Sequence, residues 1–198
     1  PSQTNSRWRP SVARRAAKVQ PLRIDRQVLY VARGKRTLRE LTFVFEADGF
    51  KSPSMSTYSS HITSKGLEQI TYVEEPHSVV YGRLSDGQLV GFTYNRDEDV
   101  LAWHPHDVAD GGEVEAVAAG YRSDIDEDAN WLVVKKTING QVRRFIARSE
   151  PVWRDGMTIE DAFFVDLGMR YPGAATKDIS GLRHLIGETV YCLADNKP

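Results

Sequence analysis

The chain is predicted to be all-β, built of repeated antiparallel meanders that resemble propeller blades, with a further β segment at the C-terminus. Three observations predict this. Residues 78–94 read as a hairpin, with two runs rich in Val, Tyr, Phe and Thr flanking Ser85-Asp86-Gly87. Asp-Gly favours a tight turn because the turn needs positive φ, which glycine supplies at little cost. Residues 131–147 match that hairpin without a gap, Asp86-Gly87-Gln88 falling on Asn139-Gly140-Gln141 and Phe92 on Phe145. A weaker copy lies at residues 28–36, and the turn glycines Gly34, Gly87 and Gly140 are spaced by 53 residues each time. A fixed period of this size points to small sheets that each bury a face against a neighbour. An ordinary sandwich with look-alike hairpins is the competing expectation.

The elements follow in order. Residues 1–26 form a basic arm leading into the first strand. It carries seven cations (Arg7, Arg9, Arg14, Arg15, Lys18, Arg23, Arg26) against Asp25, a balance of +6. Its first twenty residues lack a strand pattern and read as a solvated tail or a stretch that packs on a partner. The propeller-like repeats occupy residues 27–155. Strands are expected at 28–31 and 38–46, where Leu41, Phe43 and Phe45 alternate with Thr42, Val44 and Glu46. Residues 47–65 make a long Ser-rich connection, with a short helix expected at 55–61. Strands at 69–74, 78–84, 88–95 and 100–104 complete a four-strand meander. A second unit runs through 113–120, 130–138 and 141–147. Residues 156–198 are assigned as a C-terminal β segment, the start of a further domain, with strands at 163–166 and 189–193. The single cysteine, Cys192, is expected as a small buried hydrophobe in the last strand. The pattern breaks off in mid-unit, which suggests a piece of a longer protein.

Composition is that of an ordinary folded protein, 40% hydrophobic and 27% charged, with a net charge of −1. No apolar run is long enough to span a membrane as a helix, and no secretory leader pattern is seen. Outside the basic arm the balance is −7, and residues 95–128 hold eleven acids against Arg96 and Arg122, or −9. Nucleic-acid readers usually carry a basic stripe on the folded body; here that is reversed.

Candidate chemistry is sparse. His104 and His106, two apart on a strand, can share a face, but zinc needs a third and usually a fourth ligand, so no metal is expected there. Residues 124–128 begin like a calcium loop and then fail, with Ala129 at the sharp turn and Lys135 at the bidentate position. Nucleophile elbows and Gly-rich phosphate loops are absent. The expectation is a non-enzyme with no catalytic residue, cofactor or metal. A receptor- or glycan-binding β module is the alternative, with Trp103, Tyr121 and Trp131 as stacking platforms.

Beyond these local readings, several segments taken together resemble a known family. They are Val19-Gln20-Pro21, residues 25–32, Leu38-Arg39-Glu40-Leu41-Thr42-Phe43 and Ala47-Asp48-Gly49-Phe50. His61-Ile62-Thr63, Glu74-Glu75-Pro76-His77-Ser78, residues 86–94, Val100-Leu101-Ala102-Trp103-His104 and Ser180-Gly181-Leu182-Arg183-His184-Leu185 complete the set. The chain resembles the middle of the tail tubular protein B family of short-tailed phages, also called nozzle or tail stabilisation proteins. That resemblance implies a β-propeller with added β domains, a structural role in the virion tail, and hexameric rings with other tail proteins as partners. It also implies synthesis in the host cytoplasm and a DNA-ejection conduit through which DNA passes without specific binding. An acidic wall would repel phosphate, the converse of the attraction that basic surfaces provide. At 198 residues the chain is long enough for about half of such a propeller.

Overall fold

A computed structural model of the chain describes residues 14–108, 111–158, 163, 165–171, 173–174 and 176–192. Among them lie three antiparallel sheets and almost no helix. Sheet 1 holds β1 (Leu22–Ile24), β2 (Gln27–Val31), β3 (Leu38–Val44) and β4 (Gly49–Lys51). Sheet 2 holds β5 (Leu67–Val73), β6 (Val79–Leu84), β7 (Leu89–Asn95) and β8 (Val100–His106). Sheet 3 holds β9 (Glu113–Arg122), β10 (Glu127–Ile138) and β11 (Gln141–Arg148). Each sheet is a meander whose strands pair in chain order.

The repeat is real at the level of these units. Gly34, Gly87 and Gly140 each lie in the turn between the second and third strands of their sheet. The turns differ in length, however. Ile138 pairs with Gln141 across two residues, Asn139 (φ 51) and Gly140 (φ +71). Arg83 pairs with Leu89, and Leu84 N–H donates to Gln88 O at 2.9 Å, leaving three turn residues. The gap-free match therefore holds after the turn and slips by one before it. Val80 corresponds to Val134, not Val133. The slip matters because one residue of register moves a side chain to the other face.

Sheet 2 is the filling of a three-layer stack. Val80, Leu84, Val90 and Phe92 face sheet 1 and pack on Leu29, Val31 and Leu38. Leu89 and Tyr81 face sheet 3 and pack on Val114, Val117 and Leu132. First strands lie side by side, β5 against both β1 and β9. Polar groups tie β5 to β9: Gln69 Nε2 donates to Val117 O at 2.7 Å, Gln69 Oε1 accepts from Val117 N at 3.2 Å, and Thr71 Oγ1 accepts from Ala119 N at 2.8 Å.

The stack also has a direction. For L-residues in a strand, the face a side chain takes fixes which neighbour its N–H points to, so hydrogen-bonded pairs mark one face of a hairpin. Ala32 N to Thr37 O, Leu84 N to Gln88 O and Ser149 N to Asn130 O set that parity in the three sheets. In sheets 2 and 3 the marked face, with Val80 and Phe92 or Leu132 and Val134, looks back at the preceding sheet. In sheet 1 the marked face, with Val28 and Leu41, looks outward, while Leu29, Val31 and Leu38 look forward. All three sheets are thus stacked the same way round. No closed ring of blades forms among the described residues.

Several expectations are corrected. Residues 55–61 are not helical but a chain of tight turns, with Ser59 N bonded to Ser56 O and Ile62 N to Ser59 O. Serine hydroxyls compete with a helix here: Ser56 Oγ accepts from Leu38 N at 3.1 Å and Ser54 Oγ from Ser56 N at 3.3 Å. The strand expected at 38–46 stops at Val44, where Phe45–Ala47 turns as a short 3-10 helix and Asp48 adopts φ 41. The C-terminal β segment has no strand among its described residues. Residues 163, 165 and 166 and residues 189–192 lack a ladder, while residues 164 and 193 fall outside the described set. A strand needs a partner for its backbone groups. Here Leu167 at φ 49 and a 3-10 turn at Arg183–Leu185 bend the chain instead. Cys192 is exposed rather than buried. The arm is no free tail from residue 14 onward: Ala16 bridges Ala32, Ala17 N donates to Val31 O at 2.8 Å, and Ala17, Val19 and Leu22 pack on the core. Residues 1–13 lie outside the described set.

Candidate functional site

The most concentrated polar chemistry lies on β8, where alternation puts His104 and His106 on the face of sheet 2 turned toward sheet 3. His104 Nδ1 and His106 Nε2 are 2.8 Å apart, one hydrogen bond shared by two imidazoles. His104 Nε2 lies 3.2 Å from Thr93 Oγ1, and Tyr81 packs its ring on His106 with centroids 5.5 Å apart. The sequence signal for this pair is Gly91, directly opposite His104 in the ladder. A Cβ at Gly91 would lie 2.1 Å from the His104 ring, so only glycine leaves room for it.

Burial pushes both histidines below the ordinary imidazole value, and His106 is lowered further by the charge His104 would carry. Asp166 and Asp107 act on His106 in the opposite sense, more weakly. With folded values below the ordinary ~6.5, the unfolded chain takes up protons first as pH falls. The stability they contribute is therefore complete above that value and drains away on acidification through it. Urea midpoints should fall between about pH 7.5 and 5.5. They should fall less in the variant carrying His104→Asn and His106→Phe. An identical slope in both proteins would show that the pair does not titrate as described.

The pair stands without further ligands: among the described residues no three His, Cys, Asp or Glu side chains gather as a metal site. Residues 124–128 also scatter their carboxylates. Asp124 pairs with Arg122 at 2.7 Å, Asp126 accepts from Tyr121, and Asp128 Oδ2 accepts from Glu74 N at 2.9 Å and Glu75 N at 3.3 Å. A hollow of about 320 Å³ is lined by His61, Ile62, Ser64, Lys65, Gln88 and Pro105. The Ser64 hydroxyl donates to the His61 carbonyl at 2.8 Å rather than to its imidazole.

The three aromatic residues of the glycan alternative do not converge. Trp103 belongs to the core, stacked on Phe92 at 4.8 Å with its N–H on Met55 O at 2.7 Å. Trp131 lies on the outer face of sheet 3, over Gly120 and beside the Arg148 guanidinium. Tyr121 follows Gly120 on β9 and so takes the opposite face.

The acidic stretch is likewise less bare than its sequence implies. Glu113 meets Lys135 at 2.6 Å, Glu115 meets Arg144 at 2.7 Å, and Glu127 pairs with Arg154. The Arg144 hydrogen bond holds the Glu115 carboxyl below its usual range. Strand pairing supplies cations from beyond the segment, so −9 along the chain is not −9 on a face. Among the described residues, Asp97, Glu98 and Asp99, between β7 and β8, form a run of exposed acids outside these ion pairs.

One polar group that sequence reading missed joins sheets 1 and 2. Glu40 on β3 is 3% exposed; it accepts from Tyr94 Oη at 2.8 Å and from Arg96 Nε at 2.9 Å. Burial, then the bond to Glu40, pushes the Tyr94 phenol up to about 12. Nothing in the local pattern of β3 distinguishes Glu40 from a solvent-facing acid.

No family model matches the chain, and no curated protein matches it.

Proposed function

We propose that the chain is a structural segment of a phage tail, part of the wall of the DNA-ejection conduit in a short-tailed phage. The observation that carries this is the directional stack. Small antiparallel meanders laid face to face, first strands side by side, are how blades of a propeller pack, and the resemblance points to a propeller in that family. The paired acids of β9 give little support to an acidic wall, so the proposal rests on architecture. In it the shape-filling interior is the functional product, and the histidine pair and the Glu40 cluster hold blades in place.

The test is location. Gold-labelled antibody against this chain, applied to intact particles and to particles stripped of tails, should decorate the tail end of the former only. Label on capsids alone, or none on particles that contain the chain by immunoblot, would overturn the proposal.

A further inference from the structure

Asp86-Gly87-Gln88 and Asn139-Gly140-Gln141 are near copies in sequence, yet the two turns are held differently. Gly87 N–H donates to Leu84 O at 3.0 Å, Asp86 Oδ1 accepts from Gln88 N at 3.2 Å, and Gly87 is buried against Glu113. At the tip of the β10–β11 hairpin, Asn139 and Gly140 are both exposed. There the Gly140 N–H has no hydrogen-bond partner among the described residues, and nothing lies within 4 Å of where a Gly140 Cβ would stand. Asn139 also links this tip to the C-terminal stretch: its Nδ2 donates to Ile186 O, and its N–H donates to Glu188 Oε1 at 3.3 Å. On β11 the Phe145 and His184 rings meet at 6.0 Å. The other described asparagines are placed otherwise. Asn130 is 1% exposed and precedes Trp131, and Asn95 precedes Arg96.

We infer that Asn139 is a site of self-modification, and that its conversion frees residues 184–188 from the hairpin. The reaction is intramolecular deamidation, with water as the only co-reactant. Gly140 N gives up its proton and attacks Asn139 Cγ. The N–Cγ bond forms, the Cγ–Nδ2 bond breaks, and Nδ2 leaves as ammonia, carrying the equivalent of the proton lost from Gly140 N. Water then opens the cyclic imide at either carbonyl, leaving aspartate or isoaspartate at position 139. Glycine permits this because it brings no side chain to crowd the ring as it closes. The turn must open for the attack, and exposed tips open locally at little cost. At Gly87 the same attack is blocked, since its N–H is taken by Leu84 O and the turn is pressed on sheet 3. The product undoes the link to the C-terminal stretch. A carboxylate has no proton to give Ile186 O, and its charge is set beside that carbonyl and the Glu188 carboxylate, where it is repelled. Isoaspartate also lengthens the two-residue turn that Ile138 and Gln141 close. This chemistry is the chain's own and holds whether or not it is a phage tail protein.

The experiment holds the whole folded chain in mildly alkaline buffer and follows ammonia release and peptide masses, with fragmentation that separates aspartate from isoaspartate. Asn139 should convert while Asn95 and Asn130 stay intact and Asp86 does not isomerise. Gly140→Ala should leave Asn139 unconverted over the same period. The release is read in Asn139→Asp, whose Asp-Gly pair suits the same tight turn, so the hairpin still forms. Amide exchange is measured at Leu185, Ile186 and Glu188, whose N–H groups bond to the carbonyls of Leu182, Arg183 and Leu185. It should quicken roughly five- to tenfold, what the loss of one hydrogen bond gives, while β9–β11 exchange as in the wild type. An Asn139 that stays intact, or converts no faster than Asn95, would overturn the modification. Unchanged exchange at residues 185–188 in Asn139→Asp would overturn the release.

Discussion

Replacing Gly87 with Val is expected to lower stability by about 2–6 kcal/mol. Two costs combine. Gly87 sits at φ +84, where a β-branched residue is strained by about 1–3 kcal/mol. The turn is also pressed against the next sheet: an added Cβ would stand 2.8 Å from Glu113 Cβ and 3.1 Å from Glu113 Cα, and Gly87 O accepts from Val114 N at 2.8 Å. Overpacking of this kind costs about 1–3 kcal/mol more. Gly140→Val is the control. It shares the positive φ, at +71, but has nothing within 4 Å of the new Cβ. It should lose only the strain, about 1–3 kcal/mol. Urea unfolding of both variants separates the terms. Equal losses would mean that the Gly87 turn does not touch sheet 3.

Arg96→Ala should cost about 2 kcal/mol. Glu40 is buried between sheets 1 and 2, and its charge is met there by the Arg96 guanidinium and the Tyr94 hydroxyl. Breaking a fully buried pair typically costs about 3–5 kcal/mol, because one charge is left without a partner. The smaller figure applies here because the Arg96 side chain is 36% exposed and water reaches it. Removing the whole cluster should be milder than removing one member. The triple variant Glu40→Leu, Tyr94→Phe, Arg96→Ala is expected to unfold at a higher urea concentration than Arg96→Ala alone. A triple variant weaker than the single would mean that the cluster stabilises the sheet junction beyond satisfying Glu40.

The strands and their order were legible because they depend on local signals. Alternation in residues 78–94 and the turn residues Asp86-Gly87 and Asn139-Gly140 locate the central hairpins. The slip before the turn was hidden because turn length depends on backbone geometry that Asp-Gly and Asn-Gly share in spelling. Phe163, Val165 and Asp166 misled for the opposite reason: Phe and Val suit a strand, but a strand exists only where another can pair with it. The site-level chemistry was least legible. Whether Glu40 meets Arg96, or Glu115 meets Arg144, is set by which strands pair and which sheets stack, and composition by segment cannot show that. The one local mark of the histidine pair, Gly91 in mid-strand opposite His104, went unread.

The stack itself is tested most directly by methyl-to-methyl nuclear Overhauser contacts in protein labelled at Ile, Leu and Val. Sheet 2 lies between the other two, so Leu84 and Val90 should show cross-peaks to Leu29 and Leu38, and Leu89 to Val114 and Val117. No cross-peak should link Leu29 or Leu38 with Val114 or Val117. Direct contacts between those two sets would place sheets 1 and 3 against each other and contradict the three-layer order.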